Sequence, residues 1–120
     1  MNEFKSGAKR SEKAPNYWMI PPEVEKILAE RYDLGALKYA AHNWKKAMNT
    51  GDLEYIRQFD SHLREHRRRM FNLCSGQEDP EGETLEQNIA ALVWNAVALA
   101  AYALNDKENF MKAFDQRAPK

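Results

Sequence analysis

The stretch IAALVWNAVALAAYAL, Ile89 to Leu104, decides the fold. It is rich in alanine, is interrupted by one polar side chain, Asn95, and at 16 residues falls short of the ~18 to 20 needed to cross a bilayer. It therefore predicts a buried helix over about 86–104, apolar nearly all round, with small residues that let neighbouring helices come close. Upstream, Leu53, Ile56, Phe59, Leu63, His66 and Met70 recur at spacings of three and four, one helical face from 53 to about 73. Asp52 suits its N-cap, and Cys74-Ser75-Gly76 ends it.

Further upstream, Pro21-Pro22 opens a helix whose first turn carries Glu23 and Glu25, well placed against the positive end of the macrodipole. Val24, Ile27, Leu28 and Tyr32 form its buried stripe; Gly35 marks a pause, after which Ala36 to Trp44 continues. Downstream, Asn105-Asp106 breaks the central helix, and a short one over about 106–114 presents Phe110, Met111 and Phe114 to the body or to another subunit. Val, Ile and Thr contribute only nine residues and nowhere alternate with polar ones over a strand's length. The expectation is an all-α bundle of three to four long helices: a basic tail over 1–20 with Tyr17 and Trp18 as an aromatic anchor, then a single helical domain over 21–120.

Eighteen basic residues balance 18 acidic ones in the 120-residue chain, so no overall field draws it to a nucleic acid polymer or an anionic membrane. A lone cysteine, Cys74, makes no intramolecular disulfide and no thiolate metal site, and the polar start of the chain lacks the apolar run of an export signal. Both fit a cytoplasmic protein. Broad apolar faces on so small a bundle point to a homo-oligomer.

The densest positive charge is Arg64-Glu65-His66-Arg67-Arg68-Arg69. At 100° per residue His66 and Arg67 flank the stripe centred on Leu63, Arg64 lies beside Asp60, and Glu65 points away. Guanidinium forks match phosphate oxygens, so Arg64, Arg67 and His66 are candidates for a polyphosphate grip; a solvated basic face with a histidine at the core edge is the competing reading. The loop Gln77 to Gln87 carries Glu78, Asp79, Glu81 and Glu83, oxygen ligands for Mg²⁺ or Mn²⁺ or simply an exposed acidic run. Asn95, Asn43 and Trp44 either pair within the core or hold a base by amide and ring face. No P-loop, dinucleotide fingerprint or Ser/His/Asp triad is present.

The ordered strings SGAKRS (6–11), MIPPEVEKILAERY (19–32), GALKYAAHNWKK (35–46) and IAALVWNAVAL (89–99) resemble a phage and bacterial family, the dATP/dGTP diphosphohydrolase N-terminal-domain proteins, akin to the MazG-like all-α nucleoside triphosphate pyrophosphohydrolases. The resemblance implies self-association, a purine nucleotide pocket between helices and, in active members, cleavage of the α-β phosphoanhydride with Mg²⁺ or Mn²⁺. Lys38, Tyr39, Asn43, Trp44 and Asn95 match the family pattern, and Arg64 or Arg67 with His66 stands near its arginine-histidine pair. Where family members carry an acidic residue and a histidine before the last long helix, this chain has Gln87 and Asn88, poor Mg²⁺ ligands beside carboxylates. The expectation is a protein that needs no cofactor and sequesters a purine nucleotide or nucleotide-derived immune second messenger through Lys38, Tyr39, Asn43, Trp44, Arg64, His66, Arg67, Asn88 and Asn95. Its rivals are a metal-dependent diphosphohydrolase with Glu78, Asp79, Glu81 and Glu83 as ligands, and a purely structural helical oligomer.

Overall fold

A computed structural model describes residues 2–3, 5–7, 9–10 and 20–117. Tyr17 and Trp18, the expected aromatic anchor, lie outside the described residues. Within the basic tail, β1 (Asn2–Glu3) pairs antiparallel with β2 (Lys9–Arg10), Asn2 opposite Arg10, the only strand pairing among the described residues. The body is helical: α1 (Pro22–Tyr39), α2 (Leu53–Cys74), α3 (Leu85–Asn105) and α4 (Lys107–Ala113). The all-α reading holds.

Each boundary has a local cause. Pro22 occupies the first turn of α1, where a missing N–H costs nothing, and Glu23 and Glu25 follow it. Gly35 does not interrupt the helix, contrary to expectation; the break comes after Tyr39, where Ala40 (φ +77°) and His42 (φ +63°) leave the right-handed region. A short 3₁₀ turn, Asn43–Lys45, replaces the expected helical continuation to Trp44. The Tyr32 hydroxyl accepts the His42 backbone N–H at 3.1 Å and so ties this turn to α1. Asp52 caps α2 through the Tyr55 N–H at 3.2 Å. Thr84 and Gln87 form a reciprocal capping box that starts α3 at Leu85.

α3 is the central element and packs against α1, α2 and α4. The core lies between α2 and α3: Ile56 and Tyr102 are fully buried, Phe59 sits against Tyr102 with ring centroids 5.4 Å apart, and Ala47, Ala98 and Ala113 close around them. The Tyr102 hydroxyl donates to the Trp44 carbonyl at 2.6 Å, fastening the 3₁₀ turn to α3. Tyr102 is held up to about 12, chiefly because burial opposes the phenolate. Phe110 and Phe114 pack on this core as expected, whereas Met111 is exposed. The α1 stripe of Val24, Ile27, Leu28 and Tyr32 turns inward but is only half-buried, because a single helix, α3, lies beneath it. With its polar ends α3 reaches 21 residues and is, among the described residues, the one helix long and apolar enough to cross a membrane; here the other three helices pack against it.

Candidate functional site

Since α1 meets only one flank of the α2–α3 pair, a cavity of about 760 Å³ opens between them. The end of α1 contributes Tyr32, Lys38 and Tyr39; the following turn contributes His42, Asn43 and Trp44. Opposite stand Phe59, His62, His66 and Arg69 of α2, with Trp94 and Asn95 of α3 as floor. Trp44 and Trp94 meet edge to face, centroids 5.6 Å apart, a rigid aromatic corner. Lys38 is exposed and, among the described residues, has no carboxylate partner. Asn95 donates to the Ala91 carbonyl at 2.8 Å within its own helix, so the bland reading accounts for its amide nitrogen and its oxygen is the atom left over.

Of the residues read from the sequence, Lys38, Tyr39, Asn43, Trp44, His66, Asn95 and, from the acidic loop, Glu81 line this cavity; Asn88, fully buried against His66, does not, and neither do Arg64 and Arg67. Helix phase explains the division on α2. Measured from Leu63, His66 lies about 60° to one side and Arg67 about 40° to the other, and α1 covers only the His66 side. Arg64 is turned to solvent and pairs with Asp60 at 3.0 Å. Arg67 is exposed and stacks over Phe71, 5.9 Å from the ring centroid.

The arginine that does turn inward is Arg69, whose side chain is 5% exposed. Its Nε and Nη2 donate to the two oxygens of Asp79 at 2.6 and 2.7 Å, a bidentate fork. Nη2 also reaches Glu83 at 2.7 Å and Nη1 reaches Glu81 at 3.2 Å; Arg31 of α1 donates to the other Glu83 oxygen. Asp79 further accepts the backbone N–H groups of Glu81 and Glu83 at 3.1 and 3.0 Å and the Asn88 amide at 3.2 Å. Arg69, ahead of its other partners, holds the Asp79 carboxyl well below the usual carboxylate range. For Glu83 burial pulls upward, but Arg31 and Arg69 together leave its carboxyl below its ordinary value. The sequence hinted at this clamp in one way only: Ile56, Phe59, His66 and Arg69 share the buried face of α2.

The carboxylates expected to hold Mg²⁺ or Mn²⁺ do not fit that role as they stand. Asp79 receives five donors on the roughly four lone-pair positions of a carboxylate. Glu83 is shared between two guanidinium groups, and exposed Glu78 joins none of these pairs. Among the described residues no three His, Cys, Asp or Glu side chains converge on a possible metal position.

Asn88 is fully buried beside the clamp. Its Nδ2 donates to Asp79 and to the Thr84 carbonyl at 3.1 Å, and its Oδ1 lies 2.9 Å from His66 Nδ1. Burial pushes His66 below its ordinary value, with the Arg31 and Arg69 charges acting in the same direction and the Asn88 and Glu83 contacts against it.

A helical domain with an aromatic, partly cationic cavity between α1 and the α2–α3 pair is the class that fold and site define. The chain belongs to the dATP/dGTP diphosphohydrolase N-terminal family, whose pattern it matches over residues 5–113. No curated protein and no solved structure matches it.

Proposed function

We propose that this chain binds a purine nucleotide, or a nucleotide-derived immune signal, in the cavity and holds it without efficient turnover, as a sponge in a phage-infected cell. One observation carries the reading: Asp79 and Glu83, the two buried carboxylates of the acidic loop, are taken up by Arg69 and Arg31, while the cavity beside them keeps its aromatic corner and Lys38, which has no carboxylate partner among the described residues. About 760 Å³ is within the range of small-molecule sites. Trp44 and Tyr39 offer ring faces to a base, Asn43 and the Asn95 oxygen offer polar edges, and Lys38 offers charge to phosphate. A guanidinium or ammonium needs no metal to bind phosphate, whereas hydrolysis needs charge neutralisation as it develops on the phosphoryl oxygens. Membership of a diphosphohydrolase family favours the rival, a metal-dependent enzyme releasing monophosphate and pyrophosphate.

Incubation with dATP, dGTP and cyclic or ADP-ribose-type nucleotides, with EDTA or with Mn²⁺, separates the two. Sequestration gives equal affinity in both conditions and returns the ligand intact on heating. Metal-dependent release of products over many turnovers would establish the enzyme instead. Self-association belongs to the same proposal, because Leu37, Val97 and Leu104 stand 86%, 49% and 84% exposed on α1 and α3. Light scattering is expected to give a multiple of 13.9 kDa, and a monomer mass would remove this part of the proposal.

A further inference from the structure

The hydrogen bonds of Asn88 fix the tautomer of His66. An amide side chain has one end that donates and one that accepts. The end of Asn88 that faces Asp79 and the Thr84 carbonyl meets two acceptors, so it is the NH₂. The other end, facing His66 Nδ1 at 2.9 Å, is therefore the oxygen, and Nδ1 must carry the proton. With Asn88 fully buried between two acceptors, the amide cannot flip without setting its oxygen against both of them. His66 lines the cavity, and its Nε2 makes no hydrogen bond among the described residues. The charged groups that act on the ring are Arg31 on α1, Arg69 on α2 and Glu83 in the loop, and Glu65 precedes it on α2; burial and the two cations favour the neutral ring. A neutral ring protonated at Nδ1 has a lone pair at Nε2.

We propose that His66, positioned by Asn88, presents Nε2 to the cavity as a hydrogen-bond acceptor and selects nucleotides that offer it a donor, either an exocyclic purine amine or a sugar hydroxyl. This rests on the cavity being a nucleotide site and deepens that reading: His66 reads an N–H or O–H of the ligand and does not grip its phosphates. A phosphate oxygen would bring a second set of lone pairs against Nε2, a repulsive contact.

Two measurements test it. Nitrogen-15 NMR of the histidine rings in the unliganded protein at neutral pH should show His66 protonated at Nδ1 and bare at Nε2; protonation at Nε2 overturns the proposal whatever the protein binds. Calorimetry then compares dATP with its analogue lacking the 6-amine, dGTP with dITP, which lacks the 2-amine, and dATP with its 3′-deoxy counterpart. Loss of the donor that meets Nε2 should weaken binding about tenfold in the unaltered chain. His66→Leu should bind the paired analogues equally, and His66→Gln, which keeps an acceptor, should restore part of the difference. Discrimination that survives His66→Leu overturns the assignment of His66 alone. Failure of every nucleotide to bind the unaltered chain overturns the nucleotide reading, and the ligand half of this proposal with it, while the tautomer is judged by NMR independently.

Discussion

Replacing Arg69 with alanine is expected to lower stability by about 3 kcal/mol, the low end of the cost of stripping one partner from a buried ion pair. The side chain is 5% exposed and answers three carboxylates, so its loss leaves Asp79 with no cationic partner among the described residues and Glu83 with Arg31 alone. The low end applies because Glu81 is already 72% exposed and the loop can open to water. The neighbouring Arg68 is the control: it is exposed, pairs with Glu65 across one turn at 2.6 Å, and its replacement should leave the urea midpoint nearly unmoved. An Arg69→Ala midpoint equal to that of the unaltered chain would mean that the clamp does not hold the loop. Acid should act on the same network in two stages. His66 sits below its ordinary value when folded, so its contribution is complete above about pH 6.5 and declines as pH falls through the folded value. Asp79 and Glu83 are also lowered, so theirs is present above about pH 4 and is lost on further acidification. Urea midpoints at pH 7.5, 5.5 and 3.5 follow both stages, and the second should shrink in Arg69→Ala.

Arg69 also shows where the sequence ceases to be legible. The apolar spacing on α2 gave the helix within a residue or so, and the alanine-rich run gave α3 as the central element, because burial of an amphipathic face follows directly from period. A run of four arginines and a glutamate carries no such signal, since charge is ordinarily solvated and the partners of Arg69 lie 10 to 14 residues away in a loop without period. The same limit explains Arg64 and Arg67. Phase on α2 shows which residues border the apolar stripe but not which border a third helix will cover; α1 lies over the side holding His62, His66 and Arg69. Gln87 and Asn88 were visible as departures from the family pattern, and their roles follow from structure alone: Gln87 closes the capping box of α3, and Asn88 joins the clamp to His66. The break after Tyr39 was invisible for a different reason. Ala40 has no propensity for positive φ, and the turn there is held by Tyr32 and Tyr102, which bond His42 and Trp44 across 10 and 58 residues of sequence.

In nucleotide binding, Trp44→Ala is expected to have the largest effect of any cavity substitution. Stacking of a base on an aromatic ring is worth about 1 to 3 kcal/mol, roughly 5- to 150-fold in affinity, and Trp44 is the ring braced from three directions: Trp94 at 5.6 Å, Tyr102 at 6.5 Å, and Lys45 5.3 Å from its centroid. A braced ring loses little freedom when it stacks, so most of its contact energy reaches the ligand. Its backbone carbonyl, which accepts from Tyr102, is unchanged by the substitution, and the turn should keep its place. The indole Nε1 is, among the described residues, the one buried side-chain polar atom without a partner. Trp44→Phe should therefore retain most of the affinity at no cost in stability, since it keeps a ring and removes an unanswered donor. Arg64→Ala and Arg67→Ala, which lie on the far flank of α2, should each stay within about twofold of the unaltered chain. Calorimetry with one nucleotide across all four variants decides between sites: a phosphate grip on the outer face of α2 would reverse the order, with the two arginine variants weakened and Trp44→Ala silent.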